Sequence, residues 1–399
     1  MAYKLTREAL LLDLYAAFTC ASRHKTKKSY VCRFRRDLRI NLEQMADELL
    51  SHTYRPEPSR CFIVDYPKKR EVFAAQFRDR VVHHLYYNYT HRLFERTFIA
   101  DTYSCIEKRG THYGIERLKK HILQESHSHQ RKCYVLKLDI RGYFMHIVRS
   151  KLLAIACETL ERMRSHLIDK DGRQTWDDVT DIGFVKWLTE CIVMENPKKN
   201  CRIAGNPERW KGLDKSKSLF YAPDGCGLPI GNLTSQLFSN VYMNVFDQFM
   251  KRKLHCLHYG RYVDDSYIVS YDRQWLLSLV PQARDFLHDE LGLDLHRGKV
   301  QVADCKWGVE FTGAYVKPWR CYISNASLQR IRQTVAEMRT DNPMAVYRSV
   351  NSLLGILAHY ESYNIRSEIF CREKFLSIST YNSNITKMNK PYFSYKHHG

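Results

Sequence analysis

Three aspartates occupy positions where a carboxylate could do chemistry. Asp139 ends the apolar segment CYVLKLDI, and Asp264 and Asp265 lie side by side between the apolar runs of HYGRYVDDSYIVS. Carboxylates flanked by buried strands are unfavourable unless a positive charge neutralises them. Two Mg²⁺ ions would do so, and oxygen ligands around paired metals are the apparatus of phosphoryl transfer by in-line displacement. An Asp at a strand end and a DD turn are each ordinary alone, so the hypothesis depends on their combination.

The apolar pattern predicts the elements that position these aspartates. Residues 133–140 are rich in β-formers and predict a buried strand, and residues 258–270 predict a strand, a tight turn and a strand. A hairpin with a basic turn is predicted for 61–75, a loop for 169–173, a β segment for 309–316 and a loop-rich stretch for 196–232. Helices are predicted within 1–60, 76–124, 150–195, 234–253, 275–292 and from 324 onward.

Two helical stretches show the pattern most clearly. Leu38, Leu42, Met45 and Leu49 recur at steps of four, three and four, which places them on one apolar stripe of a helix. The stretch 275–292 is amphipathic and ends at a glycine, the residue type that commonly terminates helices. Alternating helices and strands therefore predict a mixed fold of more than one subdomain.

The charge of the chain is informative about its partners. The formal net charge is +20 over 399 residues, and residues 23–39 concentrate Lys and Arg. An excess of this size favours a polyanion, most simply nucleic acid. The basic stretch is interpreted as a phosphate-contacting surface, with a merely solvated helix face as the alternative.

Several classes of protein are disfavoured by composition. No run approaches 18 apolar residues, so no membrane span is expected. The first residues are interrupted by charges and make a poor signal peptide. The 13 cysteines are odd in number and form no CxxC pair, which indicates reduced thiols and a cytoplasmic protein.

In their order and spacing, these segments resemble a reverse transcriptase. YVDD at Tyr262–Asp265 is similar to the catalytic box of that family, and LKLDIRGYF at Leu136–Phe144 is similar to its first carboxylate motif. GLPIGNLTSQ at Gly227–Gln236 resembles the loop-to-helix motif that packs against nucleotide and template. The resemblance runs from about residue 50 to 320. It implies a prokaryotic RNA-directed DNA polymerase, a nucleotidyltransferase.

The resemblance implies roles for the carboxylate motifs. Asp139 and Asp264 would be the main metal ligands, with Asp265 beside them and the backbone carbonyl of Ile140 completing the set. The cofactor would be two Mg²⁺ ions, with Mn²⁺ as a substitute. Phe144 would be the steric gate that rejects a 2′-hydroxyl, so the substrate is a deoxynucleoside triphosphate; the alternative for Phe144 is a core aromatic.

Further residues would bind the incoming nucleotide. PKKREVF resembles the fingers hairpin, in which Lys69 and Arg70 would hold the triphosphate through charge-assisted bonds. Ile230 and Gly231 would lie against the nucleotide. Lys299 would protonate the leaving pyrophosphate, although lysines are common on surfaces.

Template and primer contacts are implied by the remaining motifs. RDRVV and CIEKRGTH match fingers motifs, GVEFTGAYV resembles the primer grip, and the final helices would form a thumb. The residues assigned to template or primer are Arg78, Arg80, Arg109, Ser235, Gln236, Gly308, Arg330 and Arg332.

The implied architecture is a right-hand polymerase of the α+β/α/β class, with fingers, a palm built on an antiparallel sheet with helices, and a helical thumb. The expected division is a basic helical extension at 1–60, fingers at 61–132, palm at 133–320 and thumb with tail at 321–399. Within the palm range, a segment at about 150–225 would be a further part of the fingers or an insertion.

The motif carrying Ile230 departs from many members of the family, which have Gln before the glycine and Pro after the serine. Isoleucine cannot hydrogen-bond near the sugar, so lower fidelity is expected, unless Ile230 simply packs in a variant that checks geometry otherwise. The SQ form, with KSLF upstream, resembles the enzymes of diversity-generating retroelements. A related reverse transcriptase of anti-phage defence is the alternative, and a non-catalytic RNA-binding scaffold is the second.

The partners implied are a template or non-coding RNA, the primer and cDNA product, and deoxynucleoside triphosphates. A small basic accessory protein or self-association is a further expectation, and no membrane partner is expected. About 80 residues follow the primer-grip motif and carry no second acidic cluster with nuclease spacing, so a stand-alone polymerase is expected.

Overall fold

The computed structural model describes residues 3–65, 68–168 and 174–391. None of the helices in these ranges has the length and apolarity needed to cross a membrane. The helices are α1 (Arg7–Ser22), α2 (Ser29–Arg36), α3 (Leu38–Leu50), α4 (Phe77–Glu95), α5 (Thr111–Glu125), α6 (Tyr143–His146), α7 (Arg149–Met163), α8 (Ile182–Val193), α9 (Leu233–Gln248), α10 (Arg273–Leu291), α11 (Asn325–Ala336), α12 (Pro343–Leu357), α13 (Tyr363–Phe370) and α14 (Glu373–Leu376). The strands are β1 (Ser59–Val64), β2 (Arg70–Ala74), β3 (Tyr134–Asp139), β4 (Cys201–Ile203), β5 (Tyr259–Tyr262), β6 (Asp265–Ser270), β7 (Gln301–Asp304), β8 (Val309–Phe311), β9 (Ala314–Lys317) and β10 (Arg320–Ile323).

The chain divides into two compact units, each assembled from several segments. Two of the five boundaries fall inside β3 and α10. The first unit comprises Met1–Glu107, Leu138–Leu257 and Ser278–Val300, and the second comprises Lys108–Lys137, His258–Leu277 and Gln301–Gly399.

The first unit is built around α9, which is buried on nearly every side. Twelve of its sixteen residues are buried, including the polar Asn240 and Asp247, so the helix lies in the interior of this unit. Helices α4 and α7 pack against it, and the Tyr143 hydroxyl donates to the carbonyl oxygen of Ser239 over 2.5 Å. The helix predicted over 234–253 ends earlier, at Gln248, and a single π-turn at Phe249–Lys253 follows it.

The N-terminal helices confirm the predicted apolar stripe. Leu42, Met45 and Leu49 of α3 are buried, while Leu38 at its first turn is half-buried. Helix α3 packs against α1, and α1 packs against α4. Helix α2 buries only Val31 of its eight residues and exposes its arginines to solvent. The basic stretch is therefore a surface feature.

A three-stranded sheet of order β2-β1-β4 belongs to the first unit. Strands β1 and β2 form the predicted hairpin, antiparallel with Arg60 opposite Ala74. Strand β4 pairs parallel to β1, with Ser59 opposite Cys201. This third strand was not predicted, because three residues inside a loop-rich stretch carry no periodicity of their own. The predicted loop at 169–173 lies outside the described residues.

The second unit contains a four-stranded sheet of order β5-β6-β3-β7. Strands β5 and β6 form the predicted antiparallel hairpin, with Tyr262 opposite Asp265, and β3 pairs antiparallel to β7. Helix α5 packs against β5 and β6. The predicted buried strand at 133–140 is thus confirmed as a central strand of this sheet.

The C-terminal part of the second unit is a small sheet followed by helices. The single β segment predicted at 309–316 is two strands, β8 and β9, joined at Thr312 and Gly313, whose φ angles are 47° and 86°. Helices follow Ser324 as predicted, but the last of them ends at Leu376, and the described residues 377–391 are not helical, contrary to the prediction. Pro343 lies in the first turn of α12, where its missing N–H costs nothing. The helices share a core around Ile331, Val350 and Leu357.

Candidate active site

The turn between β5 and β6 presents the adjacent aspartates. Val263 and Asp264 form the two-residue turn, and Asp265 is the first residue of β6. Val263 has φ of 57°, a strained conformation for a β-branched residue. The fully buried Arg261 of β5 donates from Nη1 to the Val263 carbonyl oxygen over 2.7 Å and so fixes the turn. A strained, supported turn of this kind is typical of functional sites.

Asp265 is partnered by a lysine of the same sheet. Its Oδ1 lies 3.4 Å from Nζ of Lys137, and both side chains are largely buried. Lys137 lies on β3, the strand that neighbours β6. A partly buried carboxylate of this kind needs a positive partner to offset lost hydration. Lys137 was not singled out from the sequence.

Asp139 forms an ion pair with Lys299, the residue predicted to protonate pyrophosphate. Nζ of Lys299 lies 3.0 Å from each carboxylate oxygen of Asp139. The backbone N–H of His296 donates to the Asp139 carbonyl oxygen over 2.8 Å. Ile140, the next residue, is buried and forms an antiparallel bridge with Leu295. The residues 295–299 therefore fix the end of β3 and bring Lys299 to Asp139.

The carboxylates have the donor chemistry of a magnesium site. Asp139 and Asp265 each present carboxylate oxygens, the hard donors that Mg²⁺ prefers, and each faces a lysine ammonium. A divalent cation would neutralise these carboxylates as the lysine ammonium groups do. Among the described residues, no group of three or more His, Cys, Asp or Glu side chains is already gathered to hold a metal ion.

Lys69 and Arg70 of the β1–β2 hairpin differ in their partners and in their exposure to solvent. Lys69 donates from Nζ to the carbonyl oxygen of Lys211 over 2.7 Å and lies 4.0 Å from Asp65. Arg70 begins β2 and is exposed. The motif's Pro67 lies outside the described residues. Of the two, Arg70 is the more accessible cation for a triphosphate.

The loop before α9 packs on the inner face of this hairpin. The Phe73 N–H donates to the carbonyl oxygen of Ile230 over 2.9 Å. Gly231 has φ of 124°, and a Cβ there would lie 2.8 Å from Cγ1 of Val72, so only glycine permits this approach. Ile230 and Phe144 both pack against the apolar cluster that contains Phe73. The structure brings these predicted nucleotide-site residues together, with their side chains in apolar contact.

Several predicted template contacts are engaged inside the first unit. Arg78 forms an ion pair with Glu48 and lies over the ring of Tyr54. Arg80 donates from Nε to the carbonyl oxygen of Ala75 over 2.8 Å. These bonds orient the two arginines within the fold.

Near the start of α9, Ser235 is buried and Gln236 is exposed. The two residues therefore differ in access to a template, and Gln236 has the accessible side chain.

The remaining predicted contacts belong to the second unit. Arg109 lies 6.0 Å from the ring centre of Tyr113. Gly308 has φ of 96°, and a Cβ there would lie 2.6 Å from Tyr315, so the turn before β8 requires glycine.

On α11, Arg330 donates to the Ser327 hydroxyl, and Arg332 contacts both carboxylate oxygens of Glu368 at 3.1 Å. Helix α11 thus carries one arginine in an ion pair with α13.

Two buried charged residues were missed by sequence reasoning. Glu71 alternates with Phe73 on the buried face of β2, and Arg261 lies on a strand of otherwise apolar or aromatic character. A charged residue at a core-facing position of a two-residue repeat is a signal that could have found both. Such groups are retained where they are fully hydrogen-bonded.

Comparison with known proteins identifies the class. Residues 68–316, more than half of the chain, match the family model described as "Reverse transcriptase (RNA-dependent DNA polymerase)". The match contains the three aspartates and the motif at Gly227–Gln236. It begins at Lys68, so it also contains β2. The chain therefore belongs to the reverse transcriptase family. Family membership, together with the helices and antiparallel sheets, confirms the predicted α+β polymerase fold. The domain boundaries stay a prediction.

Individual relatives are distant. Protein YkfC of Escherichia coli (strain K12) is 24% identical over 218 residues, which are 54% of this chain and 47% of that protein. The chain thus spans about half the length of the curated relative that it matches. Among solved structures, apo telomerase from Candida tropicalis gives a TM-score of 0.47 at 11% identity, covering 81% of this chain and 57% of that one. Telomerase from Candida albicans in complex with a TWJ fragment of telomeric RNA gives 0.46 at 11% identity, covering 80% and 57%.

Proposed function

We propose that this chain is an RNA-directed DNA polymerase that copies a cognate non-coding template RNA into cDNA. The observation that carries the proposal is the β5–β6 turn, in which Arg261 holds the strained Val263 beside Asp264. The turn lies inside the family match. A fold retains a strained turn supported by a buried arginine where the turn itself is needed.

In this proposal Asp139, Asp264 and Asp265, with the carbonyl of Ile140, hold two Mg²⁺ ions. When bound, the metals promote attack by a 3′-hydroxyl and stabilise the charge of the leaving pyrophosphate. Mn²⁺ is the substitute ion.

The chain's own residues bind and orient the substrate. Arg70 and Lys69 hold the triphosphate, and Phe144 excludes a ribose 2′-hydroxyl. Lys299, whose ammonium lies 3.0 Å from both oxygens of Asp139, donates a proton to pyrophosphate.

The first test is the substitution Asp264→Asn, which keeps the size of the side chain and removes its charge. We expect incorporation of deoxynucleotides on bound RNA to fall by at least about a hundredfold, because a metal ligand is lost. The readout is labelled product after addition of Mg²⁺. Folding, followed by circular dichroism, and RNA binding should stay as in the wild type.

Asp285→Asn is the matched control, because it makes the same chemical change on an exposed position of α10. Synthesis by this variant should equal that of the wild type. Retained synthesis by Asp264→Asn, or by the double variant Asp264→Ala with Asp265→Ala, would show that these carboxylates are not catalytic.

The biological role that we propose is diversification by a low-fidelity enzyme of a diversity-generating retroelement. Its support is Ile230, whose side chain packs in the apolar cluster and offers no hydrogen bond to a nucleotide. Sequencing the bound RNA and the cDNA tests this role. Substitutions concentrated at one template base support it, whereas accurate, repetitive or protein-linked DNA supports the defence alternative. If folded protein makes no DNA, the remaining alternative is a non-catalytic RNA-binding scaffold.

A further inference from the structure

Residues 206–222, here called the anchored segment, are fixed to β2 by one buried carboxylate. Apart from short 3-10 turns the segment has no regular structure. Oε1 of Glu71 accepts hydrogen bonds from Trp210 Nε1 and the Ser218 hydroxyl, each at 2.8 Å, and Oε2 accepts from the Leu219 N–H at 2.7 Å. Glu71 is 1% exposed. A buried carboxylate that accepts three bonds holds its donors in one arrangement.

The anchored segment has further contacts with its surroundings, including the bond from Lys69 to the Lys211 carbonyl oxygen described above. Arg209 forms an ion pair with Asp65 at 2.5 Å, at the end of β1. The carbonyl oxygen of Ser216 lies so close to Gly142 that a Cβ there would be 2.8 Å away. Gly142 has φ of 55°, so both the space and the backbone favour glycine. The segment therefore lies directly against the turn that follows Asp139.

Between the anchored segment and this turn there is an open cleft of about 330 Å³. Its lining includes the side chains of Arg141, Met145, His146, Lys215, Tyr221 and Ala222. None of the described residues that line it is acidic. The neighbouring Asp214 accepts on Oδ1 from the N–H and hydroxyl of Ser216 at 2.9 Å, and its charge also interacts with Lys217 and Arg141. The cleft thus combines the cationic residues Arg141 and Lys215 with the apolar residues Met145 and Ala222.

The combination of cations and an exposed ring is the chemistry that recognises a nucleotide. Tyr221 is 63% exposed, and Nζ of Lys215 lies 5.3 Å from its ring centre. Arg141 and Lys215 suit a phosphate, and an accessible tyrosine ring suits stacking of a base. The cleft is open to solvent, so it can accept one nucleotide of a longer polynucleotide.

We propose that this cleft binds one nucleotide of a single-stranded nucleic acid, with its phosphate at Arg141 and Lys215 and its base on Tyr221. The proposal deepens the polymerase function and rests on it for the presence of nucleic acid. It gives roles to Arg141, Lys215 and Tyr221, to which the sequence motifs assigned none. Glu71 is a positioning residue for the cleft, because it holds the segment that carries Lys215 and Tyr221.

The test measures binding of a fluorescent oligouridine by anisotropy in full-length protein carrying Asp264→Asn. Tyr221→Ala should weaken binding about tenfold, because stacking on an aromatic ring is lost. Tyr221→Phe keeps the ring and should bind as the parent does. Lys215→Gln should weaken binding and lower the slope of log affinity against log salt by about 0.7, the value for one phosphate contact on a single strand.

Lys253→Gln is the matched charge control, since Lys253 is exposed on the π-turn after α9, away from the cleft residues in sequence. It should leave both affinity and salt slope close to the parent. Because the parent protein already lacks a proposed catalytic carboxylate, the outcome does not depend on DNA synthesis.

Two results would overturn the assignment of the cleft. The first is unchanged oligouridine affinity in both Tyr221→Ala and Lys215→Gln. The second is a raised KM for deoxynucleotide in the catalytically intact variants with unchanged oligouridine affinity, which would make the cleft a triphosphate site.

Discussion

At the scale of single residues, Glu71 shows how one buried charge organises irregular chain. Replacing it by Ala leaves the donors of Trp210, Ser218 and Leu219 without their acceptor. We expect the free energy of unfolding to fall by about 2–3 kcal/mol, since buried unsatisfied donors carry the full desolvation cost. Glu71→Gln keeps one acceptor oxygen and should lose about half as much.

Chemical denaturation measures the loss for Glu71, and limited proteolysis locates it. Cleavage should appear within residues 206–222 before the rest of the first unit is attacked. Unfolding of both variants at the wild-type midpoint would show that the three hydrogen bonds do not hold the segment.

Asp79 is a second buried acid, and it makes stability depend on pH. Burial raises the pKa of its carboxyl to about 7, against the opposing effect of hydrogen bonds from the Tyr54 hydroxyl and the Glu57 N–H. In the unfolded chain this group titrates near 4. Between about pH 4 and 7 the Asp79 carboxyl is therefore protonated in the folded protein and ionised in the unfolded chain. The stability that this protonation contributes is complete below about pH 4 and is lost as pH rises to about 7.

We expect wild-type stability to fall relative to Asp79→Asn by up to about 4 kcal/mol between pH 4 and 7, since three pKa units correspond to this amount. Denaturant unfolding of both proteins across this range measures the difference. Parallel stability curves for the two proteins would show that the carboxyl titrates normally. The comparison isolates Asp79 from His83, whose pKa burial lowers to about 4.

At the scale of elements, helix α10 ends where its sequence predicts. Gly292 follows the last helical residue with φ of 62°, and its N–H donates to the carbonyl oxygen of His288 over 3.0 Å. A Cβ there would lie 3.1 Å from Cγ2 of Val148. Gly292→Ala should therefore lower the free energy of unfolding by about 1–2 kcal/mol, because alanine is strained in this conformation.

Gly355→Ala makes the same substitution inside α12, where an added Cβ meets nothing within 4 Å. This variant should be more stable by about 0.5–1 kcal/mol, because alanine has the higher helix propensity. Thermal denaturation of the two variants should give shifts of opposite sign. Shifts of the same sign would show that local backbone conformation does not decide either effect.

Elements were predictable where the pattern was local. The stripe of α3, the β1–β2 hairpin and the β5–β6 hairpin follow from residues that are close in sequence. Strand β4 was not predictable, because three residues pair with β1 across more than a hundred residues of chain. The same holds for the split of 309–316, where Thr312 and Gly313 make a turn in an otherwise continuous β pattern.

At the scale of the whole molecule, the net charge of +20 predicts how RNA binding responds to salt. Each neutralised phosphate releases counterions, so affinity for RNA should fall by about a hundredfold or more between 50 and 200 mM salt. Anisotropy titrations at a series of salt concentrations measure the slope. Affinity that hardly changes with salt would show that phosphate contacts do not dominate binding.

The amino-acid sequence by itself determined most of the helices and strands and singled out the three aspartates as candidate metal ligands. It did so because periodicity, turn chemistry and motif spacing are relations between neighbouring residues. Only the tertiary structure decided which partners these residues have. Asp139 meets Lys299 from 160 residues away, and Glu71 meets Ser218 from 147 residues away. Such contacts form when loops close to bury a common core, and no local pattern encodes the result.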